Sequence, residues 1–231
     1  MTTPALPDAA IYRAHRADRK IRELADSPNL RVLEISTNNL GGVPIAAVVL
    51  DGQGAVLYET LIRTDLPIDD GAQAVHGISA SMLLGEPSFA EAHEILGQLL
   101  VPGLDVLVWA APFIQASLNR GAAAEGLPRL PFRHWQPGLQ ILVTEAHGTY
   151  SHRRFDFLDV SRRKALEGVT LPADVAPEGT ALGNAQRTLA MLRHYAVGRV
   201  AVQEPERIVE LNCPGCGAPE SLCECDGKGR A

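Results

Sequence analysis

The sequence predicts an α/β protein: a mixed sheet, antiparallel first and parallel later, with helices packed on it and a small cysteine-bearing tail. Three observations lead there. Apolar residues between Val32 and Arg63 form three short strand-like runs separated by Gly-rich segments. After Pro67 the apolar spacing turns helical and then alternates between strand and helix. Beyond Ala201 the periodicity fades.

Each element has its own reason. Residues 11–25 are rich in Arg, Lys, Glu and Ala, with Ile11, Ile21 and Leu24 as apolar anchors. They predict a surface helix ending at Ser27-Pro28, because the residue before proline is pushed out of the helical region. Residues 32–35 and 44–50 predict strands, Asp51-Gly52-Gln53-Gly54 a hairpin turn, and residues 55–63 the returning strand. Phe89, Ala92, Ile95, Leu96 and Leu99 recur at helical spacing. Val106, Leu107 and Val108 predict a buried strand, and residues 113–124 a helix. Leu139, Ile141, Leu142 and Val143 fit strand or helix equally. Residues 157–166 and 181–195 predict further helices, the last with Leu189, Leu192 and Tyr195 on one side. Gln203-Glu204-Pro205 reads as a linker. The expected division is an N-terminal helix over residues 1–28, a main domain over 29–200, and a linker and tail over 201–231.

Composition narrows the function. The apolar fraction of 46% is ordinary for a globular protein, and no run approaches the roughly 18 apolar residues that span a bilayer. The N-terminus lacks the basic and apolar regions of a secretory signal, so a cytoplasmic protein with no membrane partner is expected. A net charge of −6 disfavours loose, sequence-independent nucleic-acid binding, which phosphate neutralisation drives. Any such contact must be local. Arg153, Arg154, Arg162, Arg163 and Lys164 form a local basic cluster, either a solvated helix face or a nucleic-acid contact.

Four segments, in order, resemble the motifs of the proofreading-type (DEDDh-like) 3′–5′ exonucleases over roughly residues 29–197. Val32-Leu33-Glu34-Ile35-Ser36-Thr37 lies where that family has an Asp, any residue, then a Glu. Ala74-Val75-His76-Gly77-Ile78-Ser79 is similar to its His-Gly-Ile segment. Val108-Trp109-Ala110-Ala111-Pro112-Phe113-Ile114 resembles the second motif, with Ile114 at the place of an Asp. Ala181-Leu182-Gly183-Asn184-Ala185 resembles the third, with Asn184 at the place of an Asp and Gly179 at that of the general-base His. The resemblance implies a ribonuclease-H-like fold with a mixed five-stranded sheet. It also implies hydrolysis by water held between two Mg²⁺ or Mn²⁺ ions about 4 Å apart, whose repulsion several carboxylates must offset.

Those acids are largely missing. Only Glu34 keeps a charge. Ser36 and Asn184 offer neutral oxygens, Ile114 offers none and is expected to make the pocket apolar, and Gly179 cannot take a proton. Glu178, Asp156, Asp159, His147 and His152 are either replacements or plain surface residues. The motifs therefore read as catalytically degenerate, with Glu34 a remnant. His76 is either a ligand contact or a turn histidine followed by a glycine needed for its φ angle. Nucleic-acid contact is expected, if anywhere, at His76, Arg153 and Arg154.

All four cysteines lie in the tail, as Cys213-Pro-Gly-Cys216-Gly and Cys223-Glu-Cys225. The first pair has zinc-knuckle spacing; the second is one spacer short. A structural zinc on Cys213, Cys216, Cys223 and Cys225 is expected, because disulfides suit a reducing compartment poorly. Three functions fit this reading. One is an inactive exonuclease-like protein that still binds nucleic-acid 3′ ends or a protein. Another is an active Mg²⁺- or Mn²⁺-dependent exonuclease with a remodelled site. The third is a scaffold recruiting a protein partner through the tail.

Overall fold

A computed structural model describes residues 6–130 and 137–198. The first three strands, β1 (Leu30–Thr37), β2 (Pro44–Asp51) and β3 (Val56–Leu61), form the expected antiparallel meander. β4 (Asp105–Leu107) lies parallel to β1, giving the order β3-β2-β1-β4. Among the described residues the main sheet thus has four strands, not five. The ambiguous run from Leu139 is helix, and residues 131–136 lie outside the described residues, as does the cysteine tail.

The helices are α1 (Asp8–Ala25), α2 (Asp70–His76), α3 (Phe89–Leu99), α4 (Ala111–Ala124), α5 (Leu139–His147), α6 (Arg162–Ala165) and α7 (Ala181–Val197). The predicted helix over 157–166 is mostly something else. Tyr150–Ser151 and Asp156–Phe157 pair as a short antiparallel ribbon, β5 and β6, and only α6 remains helical, N-capped by Ser161. Local propensity in that segment yields to ribbon pairing and to packing of Phe157 against α1.

Turn and cap chemistry explains the boundaries. Asp51 Oδ1 accepts from the Gln53 and Ala55 amides at 2.8 and 2.9 Å, closing the β2–β3 hairpin. Ser88 and Glu91 form a reciprocal capping box at the start of α3. Asp69 caps α2, which ends on Gly77 at φ 75°, the left-handed residue expected after His76.

The sheet carries a layer on each face. Alternation along β1 sends Leu30 and Val32 to the cluster shared with α1, α5 and α7, and Leu33 and Ile35 to the cluster shared with α3 and α4. By the same period Glu34 and Ser36 share the first face, toward α7. α1 packs on α5 and α7 through Ala17, Ile21 and Leu24, while Ala14 and Ala10, one and two turns nearer its start, meet Phe157.

Candidate functional site

The end of β1, one side of α2, Phe113 of α4 and the start of α7 line a groove of about 380 Å³. Its shape begins in the backbone. The β1–β2 register shifts between Ser36 and Thr37, turning the strand end outward. Buried Asn38 then pins the following loop, donating to the Pro67 carbonyl and accepting from the Val43 amide, both at 2.9 Å. Ser36, Thr37, His76, Phe113, Gly179 and Asn184 face the groove together, so four of the sequence-predicted positions converge.

Glu34 lies beside this groove, not in its lining. It is 3% exposed, and two donors meet one of its oxygens. Arg162 Nη2 donates to Oε1 at 2.7 Å, and Thr188 Oγ1 donates to the same oxygen at 2.9 Å. The guanidinium in turn lies 5.4 Å from the Trp109 ring centroid. The Glu34 carboxylate is thus paired from within the chain, by a residue that the sequence grouped with an exposed basic cluster. Nothing in local sequence separates Arg162 from Arg163 and Lys164. The short α6 turn over Trp109 does, while Lys164 stays outside, paired with Glu167.

Gly179 is fixed for a steric reason. Its φ is 90°, and a Cβ there would come within 1.9 Å of the Val75 carbonyl oxygen. No histidine, and no other side chain, fits this backbone. Asn184 is half-buried with Nδ2 directed at the Gly179 carbonyl, 3.5 Å away. Ile114 departs from expectation: it is buried in the α3–α4 layer and does not line the groove. One helical position away, Phe113 supplies the apolar wall instead, with Ile35 and Val75.

His76 belongs to both readings at once. It lines the groove and is also held by the turn, its Nδ1 accepting from the Ile78 amide at 3.0 Å. That bond fixes the neutral tautomer with the proton on Nε2, an atom that is buried and makes no regular hydrogen bond among the described residues. Burial pushes the His76 pKa down, and the Thr37 backbone partly opposes the shift.

The donor set does not suit a pair of hard divalent ions. Among the described residues no three His, Cys, Asp or Glu side chains are grouped to hold a metal. Asp69 is the groove's one carboxylate, and it is occupied in capping α2, accepting from the Gly71 amide at 2.8 Å. The five candidate replacements lie elsewhere. Asp156 pairs with Arg13 at 2.9 Å, His152 meets the Tyr150 ring, and Glu178 is exposed. Asp159 and His147 line a separate cavity of about 370 Å³ near Tyr195. Arg153 and Arg154 sit in the exposed β5–β6 turn, outside the groove lining.

No protein-family model and no curated relative matches the sequence. Solved structures do. The chain is similar to Exonuclease X in complex with 5′-overhanging duplex DNA (TM-score 0.52, 19% identity, covering 72% of this chain and 90% of that one). It is also similar to a 3′-exonuclease recognising the 3′ end of a histone mRNA stem-loop (0.57, 15%, 81% and 71%). A third likeness is to the nuclease domain of 3′hExo, a DEDDh family member, bound to rAMP (0.54, 13%, 77% and 98%). The chain therefore has the fold of the DEDDh 3′–5′ exonucleases.

Proposed function

We propose that this protein is a catalytically inert counterpart of the 3′–5′ exonucleases that holds nucleic-acid 3′ ends in the groove without hydrolysing them. One observation carries the reading: the cluster in which half-buried Arg162 and buried Thr188 both bind buried Glu34. A two-metal site needs several free carboxylates. Here the one that remains is tied to a guanidinium, and the general-base position is sterically closed. The groove suits an unmetallated ligand, with Ser36 and Asn184 as neutral hydrogen-bonding groups and Phe113, Ile35 and Val75 as apolar walls. That structures of the same fold are solved with DNA and with RNA supports a strand as the ligand.

Labelled single-stranded oligonucleotide incubated with the protein and Mn²⁺ is expected to stay intact, with Glu34→Ala giving the same trace. Hydrolysis by the wild type that Glu34→Ala abolishes would overturn the reading in favour of an active Mg²⁺- or Mn²⁺-dependent enzyme. Protein that neither cleaves nor binds the strand would instead point to a scaffold for a protein partner. For the tail we keep a structural zinc on Cys213, Cys216, Cys223 and Cys225, in a reducing cytoplasmic setting. Metal analysis should find zinc that is lost in Cys213→Ser.

A further inference from the structure

We infer that the tip of the β5–β6 ribbon, His152-Arg153-Arg154-Phe155, is a second contact for single-stranded nucleic acid, in which Phe155 stacks on an unpaired base and the two arginines neutralise phosphates. This rests on the reading of the protein as a strand binder, and it puts a contact outside the groove.

The tip is built to present one ring. Phe155 is 81% exposed and has φ 55°, and among the described residues it is the only non-glycine with positive φ. A bulky residue in that conformation is strained, so something must hold it there. The ribbon's base does. Tyr150 pairs with Phe157, and their rings meet edge to face at 5.3 Å. Phe157 packs with Ala10 and Ala14 of α1. Arg13 of α1 lies 5.4 Å from the Phe157 ring centroid and pairs with Asp156 at 2.9 Å and with Glu145 at 2.8 Å.

That clamp also sets the charge. Asp156 is the acid nearest the tip in the chain, and Arg13 satisfies it. Arg153 and Arg154 are exposed and make no ion pair among the described residues. An acidic chain, at net charge −6, thus carries a local positive knob topped by an aromatic face. Exposed aromatics beside guanidinium groups are the ordinary platform for single strands, since every base has a π-face and every step a phosphate. A paired base offers no free face to such a ring, so the strand must be single. Four residues are too few to bury the ~1,200 Å² that a stable protein interface takes.

The test is fluorescence anisotropy of 5′-fluorescein-labelled oligo(dT) with the full chain in EDTA. Phe155→Ala and Phe155→Leu should each weaken binding about tenfold, while Phe155→Trp retains it and shows indole quenching as oligo(dT) is added. Arg153→Ala with Arg154→Ala should flatten the slope of log K against log salt by roughly 0.7 per phosphate lost. Ala72→Trp, which fills the groove from α2, separates the two sites. Wild-type affinity in Phe155→Ala with weakened binding in Ala72→Trp overturns the ribbon contact and leaves the groove. Weakened binding in Phe155→Ala with none in Ala72→Trp supports the ribbon and overturns the groove. Absence of oligo(dT) binding by the wild type overturns both, as would binding to anionic lipid vesicles alone.

Discussion

At the residue scale the Glu34–Arg162 pair separates two kinds of burial. A buried ion pair adds little over an apolar replacement, but removing one partner strands the other without compensation. Glu34→Ala and Arg162→Ala should therefore each cost about 3 kcal/mol in urea unfolding, and Glu34→Leu with Arg162→Met far less than the sum of two such losses. Equal and additive losses would mean that the pair is not coupled. Gly179 gives a second single-residue prediction. Gly179→Ala must move the Val75 carbonyl as well as adopt a positive φ, so a loss of about 3 kcal/mol is expected by the same measurement. A histidine placed there would disrupt the loop before it could serve as a base.

At the element scale, the β5–β6 ribbon holds a conformation that its own sequence disfavours. Phe155→Gly removes the side chain that clashes at φ 55° and should raise stability by about 1 kcal/mol in a thermal melt. The same substitution deletes the exposed ring. A protein that becomes more stable and binds a strand less well would show that the strain serves the ring's presentation. The ribbon is also where sequence reading fell short. Residues 157–166 carry a helical composition, yet Phe157 gains more by packing with Ala10 and Ala14, which lie far away in the chain. Local pattern cannot see a partner at that separation. By contrast the β2–β3 hairpin was legible, because Asp51 and the glycines of its turn satisfy the backbone within a few residues.

At the scale of the whole molecule, acid should loosen the fold through two histidines. Burial lowers the pKa of His76 and of His147 below the ordinary 6.5. The unfolded chain then binds more protons than the folded one as pH drops below about 6.5, so their contribution is full above that pH and is lost through the folded values. Glu91 and Asp156, lowered chiefly by backbone hydrogen bonds, act the same way only at more acid pH. The melting temperature should be flat from neutrality down to about pH 6.5 and decline beneath it, and His147→Gln should shallow that decline. A profile unchanged in the variant would remove His147 from the account. The fold itself was readable because meander strands and amphipathic helices announce themselves through periodicity. The site was readable only in part. Ser36, His76, Gly179 and Asn184 do converge, but Ile114 turns into the core, and Arg162 enters from a segment that no motif marks.

That inward arginine makes the present arrangement a ratchet. Arg162→Ala alone would leave Glu34 stranded in the interior, and Ser36→Asp alone would bury a second acid on the same strand face with one cation between them. Asp at 114 would face the α3–α4 core, and histidine at 179 would meet the Val75 carbonyl. Each of these four exchanges lowers stability before any ion could bind. A two-metal centre on this scaffold therefore requires several simultaneous exchanges, and none of these four substitutions alone is expected to confer Mn²⁺-dependent cleavage of a labelled strand.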